Sequence, residues 1–440
     1  MFRFYPTVRM ATLATMLLSA ASLSQGASAN PANSAVPPVA PVQPIVETLH
    51  GKRLADPYRA MENLKDPAVR DWFQGQGDYA RAQLDRITGR DALEKRITEL
   101  TSASGDAITG IRRLANGQLF YLKRPKGERQ FKLVVRDGLR GSERILKDPE
   151  VEARATGVPH AINYFVPAWD GRHVAYGISA GGSEDASLHI LDVATGKDVG
   201  AVFPRVHEDL VSWLPDSQSF TFNQLKEPKP GEPETEAYMD SRVLWARVGA
   251  PADKAVPVFG PTVTRKLGLG RLDVAALHFA PDSPWVIART TDTTLPEGFL
   301  FVGRVADLGK PGMRWTRMSG YGDKIVEIDL RGNDLFYMTY ANAPRKQVMR
   351  LDLRKPMLKH AALAARAPAD GVLEDFSLNQ DALIATVRQG TDLVLRRYAP
   401  GDTQGQAIAM PGQGAARVAH DAAHAHTDVL YTFSGWMQMP

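Results

Sequence analysis

A mainly β fold, a seven-bladed β-propeller with its last blade incomplete and a short helical segment in front, is what three features of this 440-residue sequence predict. First, a turn followed by a β-branched and aromatic run recurs seven times, at Asn116-Gly117, Asp170-Gly171, Asp216-Ser217, Asp282-Ser283, Gly332-Asn333, Asn379-Gln380 and His426-Thr427. The turns are spaced about 46 to 66 residues apart, the period of a four-stranded blade with variable loops. Second, each of the first six phrases is followed by another strand-rich run, clearest in Leu188 to Val193 (LHILDV), whereas Gly435 to Pro440 is all that follows the seventh. Third, the apolar period changes from 3.6 to 2 near Ile108.

From the N-terminus, residues 1–29 read as a secretory signal peptide. Arg3 and Arg9 supply the positive region, Ala11 to Leu23 the apolar region, and Ala27-Ser28-Ala29 a cleavage site. Export to the periplasm or medium is the expectation, with no membrane contact after cleavage. The apolar run is too short and too rich in Ser, Thr and Ala to span a bilayer well. Residues 30–44 form a Pro- and Ala-rich leader expected not to pack. Residues 45–103 read as a helical segment. Asp66-Pro67 is an N-cap with Pro at the first helical position, and Val69, Trp72, Phe73, Tyr79, Leu84 and Ile87 follow at helical spacing. Gly89 interrupts, and a second helix is expected from Asp91 to Leu100. Residues 104–440 form the propeller, cut within its seventh blade. Second hairpins are expected to begin at Leu133, Leu188, Arg242, Phe299, Gln347 and Leu393, and Lys226 to Glu236 is a solvated insertion between units.

Composition narrows the function classes. With 44% hydrophobic and 23% charged residues the chain can bury a sizeable core. The net charge of +4 falls to +2 without Arg3 and Arg9, and no basic stripe carries interleaved aromatics, so nucleic acid is not an expected partner. There is no cysteine, hence no thiol or disulfide chemistry. No G-x-S-x-G nucleophile turn occurs, and Gly181-Gly182-Ser183-Glu184 reads as a hairpin loop. His420, His424 and His426 beside Asp421 and Asp428 could ligate a metal but read as a polar interblade loop, so no metal is assigned. Gly268-Leu269-Gly270 lacks the third glycine of a dinucleotide fingerprint, and no cofactor is expected. Glu184-Asp185 and Glu208-Asp209 read as loop solvation. Trp169, Trp213 and Trp285 recur beside the turns and read as blade packing.

Several of these segments resemble the prolyl oligopeptidase family of serine peptidases. Asp56-Pro57-Tyr58-Arg59-Ala60-Met61-Glu62 is similar to that family's D-P-Y-R-W-L-E motif. Pro167-Ala168-Trp169-Asp170-Gly171 with His173 to Gly177 resembles P-S-x-D-G-x-x-V-A-Y-G, and Ser179 to Glu184 and Val211 to Asp216 continue the likeness. The resemblance implies a helical lead and a seven-bladed propeller that gates short peptides into a C-terminal α/β-hydrolase domain, where cleavage follows proline. It covers about Ile45 to Pro440, only the first two of those parts, so no catalytic residue is carried over. Glu184 stands where the family has an acid facing a substrate-binding arginine of the hydrolase domain, and is the one substrate-facing or interdomain candidate. Ala60 replaces the motif's Trp, and the loop Arg205 to Glu208 lacks an apolar substrate-facing residue, both marks of a divergent relative. The expectation is a truncated cap portion, inactive alone. The alternatives are a stand-alone binding module and a cap that complements a separate hydrolase subunit.

Overall fold

Six times the chain lays down four consecutive antiparallel strands as one sheet. The computed structural model describes residues 36–103, 105–207, 209–292 and 294–435. The proposed signal peptide, the start of the leader and Glu208 lie outside them. The described residues fall into two units, ending and beginning at Thr101 and Ser102.

The first unit opens with a hairpin, Ile45–Leu49 against Lys52–Asp56, which a wholly helical reading omits. Its two-residue turn puts His50 at φ 51 and Gly51 at φ 78, the left-handed pair that a tight hairpin turn requires. The D-P-Y-R motif staples the next turn. Asp56 Oδ1 accepts from the Tyr58 amide at 2.8 Å, and the Arg59 guanidinium bridges Glu47 at 2.6 Å and Glu62 at 2.9 Å. Helix α1, Pro67–Asp85, starts where Asp66 Oδ1 caps the Ala68 amide, and helix α2 runs Arg90–Ala103. The end of the leader does pack, contrary to expectation. Trp72 Nε1 and Gln76 Nε2 on α1 both donate to the Pro38 carbonyl, at 3.1 and 2.6 Å. A proline carbonyl remains a full acceptor even though the residue has no N–H.

In the second unit, blade one comprises Ala107–Arg113, Gln118–Arg124, Lys132–Asp137 and Glu143–Lys147. Blade two follows with His160–Pro167, His173–Ala180, Ser187–Asp192 and Lys197–Asp198. The inner strands of blades three to six are Val211–Trp213, Val274–His278, Ile325–Arg331 and Val372–Leu378. In four of the seven phrases the turn folds the same way. Gly117, Gly171, Ser217 and Ser283 donate their amides to the residue three before, and the side chain of Asn116, Asp170 or Asp216 accepts from the amide two after. The turns also lock neighbouring blades. Trp169 Nε1 donates to Trp213 O, Trp285 Nε1 to Asn333 Oδ1, and Arg331 to Asn379 O. Each link spans 44 to 48 residues, about one repeat.

Apolar clusters fill the spaces between adjacent blades rather than one central core. Between blades two and three, Trp213, Phe220, Phe222 and Phe203 pack together, and Trp213 is 1% exposed. One helix had no counterpart in the sequence reading. Helix α3, Pro149–Thr156, joins blades one and two behind an Asp148 cap, and repeats the Asp-Pro signal of α1.

The seventh phrase does not make a seventh sheet of its own. Ala415–Val418 pairs antiparallel with Tyr431–Ser434, and this hairpin joins blade six through a single parallel pair, Leu393 with Ala415. The chain between them leaves the hairpin, and His420–Asp421 pairs parallel with Arg112–Arg113 of blade one. The ring therefore has six four-stranded blades and a closing hairpin. Among the described residues, Tyr431–Ser434 has no third strand beside it, and it is half-buried where the second strands of the other blades are mostly buried.

Candidate functional site: the central channel

Because each blade has an even number of strands, all six inner strands run the same way. Their starts, the strand two-to-three loops and the interblade links share one face (proximal), and the repeated turns lie on the other (distal). The inner strands and the closing hairpin surround a channel of about 750 Å³.

Three charged groups reach its wall just past a β-bulge. The inner strands of blades one, five and six each carry a β-bulge, at Thr109/Arg112, Ile325/Glu327 and Leu373/Asp375. A bulge skips the pairing by a residue and turns the following side chain to a new direction. In each case the residue just past the bulge, Arg112, Glu327 or Asp375, lines the channel. Arg112 reaches Asp209 at 3.4 Å, a bridge from blade one to blade three.

Asp329 lies two residues beyond Glu327 and is the hub of the acidic wall. It accepts from His424 Nε2 at 3.0 Å and from the Leu330 and Leu378 amides at 2.8 and 3.3 Å. Burial pushes its carboxyl up, but the His424 imidazolium, the hydrogen bond to it and the nearby His420 together bring it below the ordinary range. His424 is 6% exposed; burial pushes it down, and Asp329 outweighs this and raises it. Glu327 and Asp375 are raised, mainly by confinement, with Asp329 adding repulsion. His278 and His420 are both pushed down to about 4 by burial, with Arg289 and Arg112 respectively adding to it.

The residues that sequence reading singled out are dispersed. Glu184 is exposed in the proximal loop after the second strand of blade two, where its carbonyl accepts from the Ala186 amide at 2.8 Å. Ser183 Oγ accepts from the Asp185 amide, and His207 Nε2 pairs with Asp185 at 2.8 Å. The three histidines of the 420–428 segment do not all converge, although His420 lies near the His424–Asp329 pair. His424 turns to Asp329 and His426 to Asp421 at 3.1 Å, and among the described residues no three such side chains gather as a metal site. Trp169 and Trp213 are packing residues that also line the channel. In the loop after blade two, Val206 is buried and its carbonyl accepts the Tyr164 hydroxyl at 2.8 Å. The insertion at 226–236 is pinned by Lys226 to Glu232 and Glu236, and by Arg271 to Glu236. Asp209, read from sequence as loop solvation, instead lines the channel beside Arg112, and Glu327, Asp329 and Asp375 escaped the sequence reading. Their signal was acidic residues inside otherwise apolar inner strands, in IVEIDLR and VLEDFSL.

Residues 37–438 match the family described as prolyl oligopeptidase, N-terminal β-propeller domain. Prolyl endopeptidase of Elizabethkingia meningoseptica is 19% identical over 395 residues, covering 90% of this chain and 53% of that protein. Prolyl oligopeptidase A of Galerina marginata is 22% identical over 331 residues, covering 69% of this chain and 43% of that protein. The chain spans about half the length of the curated relatives it matches. Among solved structures, a prolyl endopeptidase superposes with a TM-score of 0.76 at 23% identity, over 91% of this chain and 56% of its own. Prolyl oligopeptidase B of Galerina marginata, bound to a 35-residue substrate, gives 0.73 at 17% identity, over 92% and 58%. At these identities the likeness is one of fold.

Proposed function

Since the chain belongs to the prolyl oligopeptidase family through its N-terminal β-propeller domain, we propose that it is the propeller cap of an exported serine peptidase of short peptides. In this reading hydrolysis is carried by an α/β-hydrolase domain or subunit seated on the proximal face, and this chain alone is inactive. The observation that carries it is the distribution of exposed apolar side chains over the propeller unit. Val151, Val158, Val202, Tyr238, Leu272 and Leu295 stand exposed on proximal loops and links, against Leu139, Val256 and Met357 on the distal side, with Ile108 and Ile145 exposed within strands of blade one. The excess of exposed apolar side chains on the proximal side favours that side as the contact surface. Glu184 stands on the same face, which suits an interdomain role. The closing hairpin takes the place of a seventh blade's first two strands, and a further hairpin against Tyr431–Ser434 would complete it.

The purified chain is expected to give no turnover of a Gly-Pro chromogenic peptide; turnover abolished by a serine-directed inhibitor would overturn this reading. Export is checked by N-terminal sequencing of the mature protein, expected to begin at Asn30. A second reading, a stand-alone binding module, draws on the charged channel wall, which needs no partner to bind a ligand. No helix among the described residues is long and apolar enough to cross a membrane.

A further inference from the structure

The channel holds acidic and basic groups, only some of which form ion pairs. Asp329 is matched by His424, and Asp209 by Arg112. Glu327 and Asp375 have only the amide of the next residue as partner, Ile328 at 3.3 Å and Phe376 at 2.7 Å. Arg417 projects from the closing hairpin into the same space, exposed. Among the described residues none of these three forms an ion pair within 4.0 Å, although Glu327 feels the charge of Arg289, and Asp375 those of Lys346 and Arg417.

An unpaired carboxylate in a confined space is unfavourable, and two beside Asp329 more so. The fold nevertheless places both there by bulges, which weaken strand pairing locally and recur where a side chain must be re-aimed. The wall next to them carries His278, whose Nε2 is buried without a hydrogen-bond partner. At about 750 Å³ the channel falls in the range of about 300–1,000 Å³ typical of small-ligand sites.

We propose that the channel is a binding site for short zwitterionic peptides, with Glu327 and Asp375 taking the terminal ammonium and Arg417 the terminal carboxylate. A ligand with both charges neutralises the two unpaired sets at once, which a simple cation or anion does not. This rests on the reading of the chain as a peptide-handling cap, but it concerns binding to this chain alone and needs no hydrolase.

Trialanine titrated into the full chain, followed by the fluorescence of Trp169 and Trp213 and by calorimetry, tests it. Acetylating the amino end, or amidating the carboxyl end, is expected to weaken binding roughly tenfold to a hundredfold, the size of one charge-assisted contact. In Glu327→Gln and Asp375→Asn the penalty for acetylation should shrink while that for amidation stays, and in Arg417→Gln the reverse. The capping series uses unaltered protein, so it decides the matter even if a variant fails to fold. No binding of trialanine at millimolar concentration, or equal affinity for capped and free peptides, overturns the proposal. Binding that depends on the caps, in a chain that associates with no hydrolase, would leave it standing while the cap reading fell.

Discussion

Gly171 shows how one residue fixes a turn and an interface together. It sits at φ 73, and a Cβ there would lie 2.2 Å from Gln118 Oε1 and 3.1 Å from Leu114 of blade one. Gly171→Ala is expected to lower stability by about 1–3 kcal/mol, combining left-handed strain with lost fit, as measured by denaturant unfolding. The channel histidines act in opposite senses on pH. His278 and His420 fold with pKa values of about 4, below the 6.5 of the unfolded chain. Between those values the unfolded state binds more protons, so stability falls as the pH drops from 6.5 towards 4. His424 is raised, so its contribution is complete below 6.5 and is lost as pH rises through its folded value. Asp329 is lowered, so its contribution holds above its unfolded value of 3.8 and is lost on further acidification. A pH series of melting temperatures should therefore show a flatter acid limb for His278→Leu than for the parent. For His424→Gln the difference from the parent should be largest between pH 4 and 6.5.

Elements were legible wherever local chemistry repeats. Asp66-Pro67 announced α1, and Asp66→Ala should lower the stability of the first unit by about 1 kcal/mol, read from its helical circular dichroism on heating. The same signal at Asp148-Pro149 marks α3, but inside a long strand-rich stretch it passes as one more turn. The second hairpins stood close to their expected positions, for example Ser187–Asp192 and Gln347–Asp352, because period-2 alternation between turns is a local property. Asn379 ties two elements. Its Oδ1 accepts from the Ala382 amide at 2.8 Å, and its Nδ2 donates to Thr427 O of the closing segment at 3.1 Å. Asn379→Ala is expected to cost about 1–3 kcal/mol and to speed amide exchange in both the blade-six turn and the 420–428 segment. An effect confined to the turn would show that the link does not hold the hairpin.

At the scale of the whole molecule, closure decides what the repeats become. The 415–435 segment joins blade six to blade one through strand pairs at Ala415 and His420–Asp421, the Arg113–Asp428 bridge at 2.8 Å, and the buried His424–Asp329 pair. A chain ending at Gly412 should lose cooperative unfolding and bind a hydrophobic dye, since two blade faces would be left open. Unchanged melting would mean that the ring does not need its clasp. The sequence by itself determined the turns, the strand count of six blades and the family motifs, because each depends on residues close together along the chain. It also carried the seventh phrase, but not that its inner segment would divide between its own hairpin and blade one. Nor could it show Arg112, Glu327, Asp375 and Arg417 facing one another. Those residues lie as much as 305 positions apart, and for Arg112, Glu327 and Asp375 a bulge of one residue decides which way the side chain points. Only the closed ring brings them to one wall, and so the candidate site is a product of tertiary structure.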